Sequence, residues 1–205
     1  MVKRLSRIVV LLMTLVLFLS VSSAFAQNAG AGQVTQYALG DQTLSINAGL
    51  FVPLFLIPTG TWLLAPTDSG LPHLSLGGVG SFSWAAYVSP NIRVGADLGG
   101  TFSFSPNANA LLMLPIVIKG AYVFSFYPFE LPVSFGVGMN IIKYVDQTTI
   151  DLLLRPGASL YYVFNSSWSF GLNLNYWFDM QFAADPTQSR IANFLEVSLS
   201  ALYHY

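Results

Sequence analysis

Apolar and polar residues alternate one by one over long stretches of this chain. From Asn91 to Ser105 the even positions are apolar or glycine, and the odd positions are small, polar or charged. Successive side chains of a strand point to opposite faces, so this period of two predicts a strand with one apolar face. Similar alternation predicts seven more strands, at Thr43–Val52, His73–Val88, Leu111–Tyr127, Leu131–Ile142, Ile150–Phe164, Trp168–Gln181 and Leu195–Tyr205.

The N-terminus has the pattern of a secretory signal peptide. Three basic residues precede an uncharged run from Ile8 to Leu19, and an A-x-A site ends at Ala26. This order predicts export with cleavage after Ala26, because a retained membrane helix needs about 17 to 25 apolar residues. We therefore expect a signal peptide at 1–26, a short periplasmic N-terminal extension at 27–41 and an outer-membrane barrel at 42–205.

The exported chain is unusually apolar, since the full sequence is 54% hydrophobic, 15% aromatic and 8% charged. After Ala26 its longer apolar runs, such as Leu111–Ile118, contain a proline and are too short for a transmembrane helix. Only helices and closed barrels satisfy every backbone hydrogen bond within lipid. We therefore predict an all-β fold, an eight-stranded antiparallel transmembrane β-barrel in the outer membrane of a diderm bacterium.

The connections between the predicted strands alternate between short and long. Those at 89–91, 127–129 and 165–167 are short, whereas longer ones fall between them, as is typical of outer-membrane barrels with periplasmic turns. The rival fold is a soluble β-sandwich. It is disfavoured because the polar faces are mostly Gly, Ser, Asn and Thr, and the apolar faces are long and aromatic.

Several functional classes lack the residues that they need. There is no cysteine, and after Ala26 five Lys and Arg face nine Asp and Glu, which disfavours nucleic acid as a partner. A metal site of His and Cys lacks ligands, and we expect no cofactor. An enzyme would have to use His73 with Ser75 and Asp68, since His204 lies at the other end of the barrel; we therefore predict no enzyme.

Charged residues share the face that we assign to the barrel lumen. An Arg or Lys turned toward lipid near the midplane would cost about 2–4 kcal/mol. The predicted lumen charge network consists of Arg93, Asp97, Lys119, Asp151, Arg155, Asp179 and Glu196. Eight strands enclose room for side chains or one small ligand, so these residues form either a plug of ion pairs or a hydrated ion path.

Toward the loops, several lumen positions are apolar instead of polar. They are Phe51, Phe55, Leu111, Met113, Ile142, Leu153, Trp177 and Phe194. Apolar side chains are unstable against water unless they are covered. Either Trp62, Leu63 and Leu64 close over them as a lid, or they line a pocket for a hydrophobic ligand.

The C-terminal half of the chain resembles the OmpW family of small outer-membrane barrels. The similar stretches are Leu114-Pro115, Tyr122–Phe124, Leu131–Asn140, Gly157–Tyr162, Asn165–Trp168, Asn175–Asp179 and Val197–Tyr205. The resemblance implies eight strands and a hydrophobic pocket for small apolar solutes. Two features depart from the family: the loop Lys143–Thr149 is short, and the chain ends in Tyr205 where Phe is customary.

These observations lead to one expected function and one alternative. We expect a monomer that binds or passes small hydrophobic molecules, surrounded by outer-membrane lipid and inserted by the barrel-assembly machinery through its C-terminal strand. The alternative is a non-transporting surface or structural protein, an adhesin or antigen that acts through its extracellular loops.

Overall fold

The chain forms a closed antiparallel barrel of eight strands, and the predicted fold class is confirmed. The computed structural model describes residues 37–58, 74–105, 109–144, 147–181 and 190–205. The strands are β1 (Gln42–Pro58), β2 (Gly77–Ser89), β3 (Ile92–Phe104), β4 (Ala110–Phe126), β5 (Phe129–Tyr144), β6 (Gln147–Val163), β7 (Trp168–Gln181) and β8 (Arg190–His204).

Each strand pairs with its neighbours in sequence, and β1 pairs with β8 to close the barrel. The closing register runs from Thr43 opposite His204 to Pro58 opposite Arg190. Backbone hydrogen bonds between Gln42 and Tyr205 extend this seam beyond the last strand. The predicted short connections join β2 to β3, β4 to β5 and β6 to β7, and we call this the turn end. The opposite end is the loop end.

The described part of the chain contains no helix long and apolar enough to cross a membrane.

Large apolar side chains cover the outer face of the barrel. Ile118 and Leu199 are each 70% exposed, and Ile150 is 68% exposed. Monomeric proteins in water rarely expose apolar patches beyond a few hundred square ångströms, so an outer surface of this kind suits lipid. The strands have one apolar and one polar face because their side chains alternate between this surface and the lumen.

One predicted lumen residue, Phe55, lies on the outer face. The register between β1 and β8 shifts between Pro53 and Phe55, so that Phe55 pairs with Asn193 instead of with an inward residue. A bulge of this kind inserts one residue, and every side chain beyond it then changes face. Phe55 is accordingly 36% exposed, and its prediction as a pocket residue is wrong.

Candidate functional site

The loop-side half of the lumen contains one hydrophobic cluster. Its buried members, which we call the apolar cluster, are Phe51, Val79, Leu111, Met113, Val117, Leu153, Trp177 and Phe194. Six of the eight predicted pocket residues are among them, and Ile142 packs against the cluster from a partly buried position. Val79 and Val117 were not predicted, although Val117 lies two residues before Lys119 and therefore on the same face.

The aromatic side chains hold the apolar cluster together across the seam of the barrel. The ring of Phe51 meets that of Trp177 edge-on, with centroids 5.2 Å apart, and lies 4.7 Å from that of Phe194. Phe51, Leu153 and Trp177 are each 0% exposed. The cluster is thus a packed interior in this conformation.

Charged side chains lie next to the apolar cluster, on the side that faces the turn end. Arg155 Nη2 lies 3.3 Å from Asp97 Oδ2 and 3.4 Å from Glu196 Oε2, while Lys119 Nζ lies 2.8 Å from the same Asp97 oxygen. We call these four residues the charge layer. The Arg155 guanidinium also lies 5.4 Å from the centre of the Trp177 ring, whose Nε1 donates a hydrogen bond to Glu196 Oε2.

The other three predicted charges are separated from the charge layer. Arg93, Asp151 and Asp179 all point inward and are at most 6% exposed, yet no salt bridge joins them to any described residue. Arg93 lies toward the turn end, 5.9 Å from the Tyr161 ring centre. Asp151 and Asp179 lie toward the loop end. The seven predicted residues are therefore placed at three levels of the lumen and do not form one network.

A polar cavity of about 30 Å³ lies on the turn side of the charge layer. It is lined by Asp97, Lys119 and Arg155 of that layer, by Arg93 and Tyr161, and mainly by Asn, Ser and Thr side chains. A buried water needs about 10–15 Å³, so this space suits roughly two waters. Asn173 crosses the lumen here, donating from Nδ2 to Asn47 Oδ1 at 3.0 Å and accepting from Tyr161 at 3.0 Å. These bonds satisfy polar groups that burial would otherwise destabilise.

Tyr37 closes the turn end, although it precedes the first strand. Its ring stacks on Tyr87 at 4.2 Å and on His204 at 5.3 Å, and its hydroxyl donates a 2.6 Å hydrogen bond to Glu130. Burial, reinforced by the nearby Glu130 carboxylate, raises the pKa of the Tyr37 hydroxyl. We did not predict Glu130 as a lumen residue, because the predicted strand began one position after it.

Some predicted features lie outside the described residues. They are the cleavage site at Ala26, the lid residues Trp62, Leu63 and Leu64, and the candidate catalytic residues Asp68 and His73. Where the chain is described, no group of three His, Cys, Asp or Glu side chains is placed to hold a metal ion.

Solved structures of the same fold include a bacterial surface protein and a bacterial outer-membrane protein. Neisserial surface protein A has a TM-score of 0.60 and 10% identity, over 81% of this chain and 97% of that chain. The outer-membrane protein OprG of Pseudomonas aeruginosa has a TM-score of 0.51 and 10% identity, over 84% and 99%. At these identities the likeness shows the fold alone.

Sequence comparison finds more closely similar chains in two other bacteria. An uncharacterised protein of Treponema pallidum is 28% identical over 113 residues, which span 53% of this chain and about half, 52%, of that protein. An uncharacterised protein of Borreliella burgdorferi is 24% identical over 182 residues, 78% of this chain and 81% of that protein. A family model matches residues 25–203. The chain therefore belongs to the family that this model defines, an uncharacterised one.

Proposed function

We propose that the protein is an outer-membrane barrel that binds small hydrophobic molecules among the side chains of the apolar cluster. The observation that carries this proposal is the single cluster of eight buried apolar side chains in the loop-side half of the lumen. On the turn side, the lumen around the cavity is filled mainly by polar side chains. A barrel of this size can therefore be filled without apolar side chains, and the apolar cluster needs another explanation. A mostly apolar site with a few polar groups suits a hydrophobic ligand.

The charge layer limits where such a ligand can go. A molecule that entered from the loop end would meet Arg155 and Glu196 beneath Trp177. Separating a buried ion pair leaves uncompensated charges and costs about 3–5 kcal/mol. Binding from the loop end is therefore the step that the geometry favours over passage through the lumen.

A ligand also needs side chains to move, because the apolar cluster is closely packed. Met113 and Leu153 are unbranched at Cβ and can change rotamer, and methionine in particular adapts to irregular partners. The resemblance to the OmpW family supports the same assignment, since that family is thought to carry a hydrophobic pocket. In this proposal the barrel is a monomer inserted by the barrel-assembly machinery.

The close packing also favours a second candidate. If the apolar cluster is a permanent core, the protein is a non-transporting surface or structural barrel, an adhesin or antigen that acts through its loops. Three of the cluster's large side chains, Phe51, Leu153 and Trp177, have no exposed surface, as in the core of a soluble domain. The two candidates differ in whether the cluster opens to admit a solute.

Quenching of Trp177 fluorescence tests this difference. Trp62, Trp84 and Trp168 are replaced by Phe, so that Trp177 alone reports, and bromooctane is titrated as an apolar quencher into the refolded barrel. We expect saturable quenching. Leu153→Asp should abolish the saturable part, because a charge in an apolar site disfavours an apolar ligand.

Asn175→Asp is the matched control, since it adds the same charge beside the polar cavity and should leave the quenching curve unchanged. Quenching that never saturates, or that survives Leu153→Asp, would mean partition into detergent and would favour the surface protein.

A further inference from the structure

We propose that the loop end of the lumen binds a hard divalent cation, of which Ca²⁺ fits best, between Asp151, Asp179 and Asn140. This site borders the apolar cluster, where Asn140 contacts Met113, and its proposal does not rest on the hydrophobic ligand. It would give the barrel a metal-dependent stability.

The three side chains lie on three consecutive strands and face one another inside the lumen. Asn140 on β5 is the register partner of Asp151 on β6. Asp179 on β7 is opposite Leu153, two residues from Asp151. Asn140 Nδ2 donates a hydrogen bond to Asp179 Oδ2 and also lies 3.4 Å from Met113 Sδ. Their exposed fractions are 0% for Asn140, 1% for Asp179 and 5% for Asp151.

Each of the three side chains keeps one buried oxygen without a hydrogen-bond partner. These atoms are Asn140 Oδ1, Asp151 Oδ1 and Asp179 Oδ1. Rotating the Asn140 amide would not give its oxygen a partner when Asp179 is ionised, because two acceptors would then meet. Most buried polar atoms have a partner, and three unpartnered oxygens in one cluster point to a ligand that accepts their lone pairs.

The charge balance of the lumen points the same way. Among the described inward side chains, three cations, Arg93, Lys119 and Arg155, face five acids, Asp97, Glu130, Asp151, Asp179 and Glu196. The charge layer is neutral in itself, and Arg93 and Glu130, of opposite charge, both lie toward the turn end. Two negative charges are left over, both at the loop end, and one divalent cation neutralises them.

The ligand chemistry selects the type of ion. Carboxylate and amide oxygens suit Ca²⁺ and Mg²⁺, whereas Zn²⁺ prefers His and Cys. Mg²⁺ demands near-octahedral geometry and keeps several waters, so Ca²⁺ suits three protein ligands from separate strands better. Two carboxylates and one amide form a weak site, and we expect a dissociation constant of about 10⁻⁴–10⁻³ M, as in extracellular calcium modules.

Terbium luminescence gives a direct test on the refolded full-length barrel. Trp177 lies two residues from Asp179 on the same face of β7, which separates them by about 7 Å along the strand. Excited Trp177 should therefore sensitise bound Tb³⁺. We expect saturable luminescence that millimolar Ca²⁺ displaces. Asp151→Asn and Asp179→Asn should each weaken Tb³⁺ binding by about tenfold or more, and Trp177→Phe should remove the signal.

Urea unfolding with Ca²⁺ or with a chelator is the second measurement. Ca²⁺ should raise the midpoint of the wild-type barrel and of Glu130→Gln, a matched loss of a buried carboxylate at the other end. Asp179→Asn should lose this rise, while in chelator it should be at least as stable as the wild type because a like-charge pair is removed. Unsaturable luminescence, Asp179→Asn binding Tb³⁺ like the wild type, or luminescence that persists in Trp177→Phe would overturn the site.

Discussion

At the residue scale, Arg155 links the parts of the lumen. Its guanidinium pairs with two carboxylates on opposite sides of the barrel, Asp97 on β3 and Glu196 on β8. It also lies over the ring of Trp177, the largest side chain of the apolar cluster. Arg155, on β6, therefore contacts side chains from β3, β7 and β8, of which only β7 is its neighbour in the sheet. We expect much of the stability of the lumen to depend on it.

Arg155→Leu tests that dependence. Removing the guanidinium leaves Glu196 without its salt bridge and Asp97 with Lys119 alone, and breaking a buried pair in this way costs about 3–5 kcal/mol. We expect the urea midpoint of the refolded barrel to fall accordingly. Lys143→Leu, at the exposed loop end of β5, removes an unburied cation and should leave the midpoint nearly unchanged. An unaltered midpoint for Arg155→Leu would contradict a structural role for the charge layer.

Residue positions were predictable wherever alternation continued without interruption. Phe51, Leu153 and Trp177 could be assigned to the lumen because each shares a face with polar residues on a regular strand. The position of Phe55 could not be predicted, because the bulge before it depends on how β1 pairs with β8. Nothing in the alternation of the sequence marks such a bulge. The sequence also could not show which charged residues form salt bridges. The level of each residue along the barrel axis depends on the register between strands.

At the element scale, glycines on the inner face make room for large lumen side chains. A Cβ atom at Gly136 on β5 would lie 2.6 Å from Val117 Cγ1 and 3.6 Å from Arg155 Cβ. Real Cβ contacts are longer than the first of these distances, so a side chain there forces β4 or its valine to shift. Gly120, on the outer face of β4, has nothing within 4 Å of the same position.

Alanine at these two glycines should therefore have different effects. Gly136→Ala overpacks the lumen and should lower the free energy of unfolding by about 1–3 kcal/mol. Gly120→Ala meets open space and should change it by no more than about 0.5 kcal/mol, as is usual away from packed sites. Equilibrium unfolding of both refolded variants measures the difference. Equal effects would mean that backbone entropy, and not contact with Val117, controls these positions.

Strand ends were less predictable than strand centres. The predicted first strand stopped at Val52, whereas β1 continues to Pro58. The predicted last strand began at Leu195, five residues after the start of β8 at Arg190. In both places apolar and polar residues no longer alternate. The strands β1 and β8 continue there because they pair with each other.

At the scale of the whole molecule, three groups of side chains lie in series along the lumen. They are the apolar cluster, the charge layer and the stack of Tyr37 on Tyr87. A cavity of about 30 Å³ lies on the turn side of the charge layer. Eight strands already limit the lumen to side chains or one small ligand.

We therefore expect little or no ionic conductance. Purified barrels in planar lipid bilayers should give no large, stable current steps of the kind that general porins of roughly 16 strands show. Removing residues 27–41 should leave this result unchanged, because the charge layer still closes the lumen when Tyr37 is absent. Large steady steps from the intact chain would show that the charge layer opens.

The seam between β1 and β8 also has a consequence for how the chain reaches its final state. Gln42 and Tyr205, which hydrogen-bond to each other, are 163 positions apart. Pairings between such distant segments form slowly, because the loop-closure entropy is lost before the contacts form. Until the seam is made, β1 and β8 each present an edge of unpaired N–H and C=O groups that can recruit another chain. The yield of native protein therefore depends on how quickly this gap is closed relative to aggregation, and not only on how stable the closed barrel is.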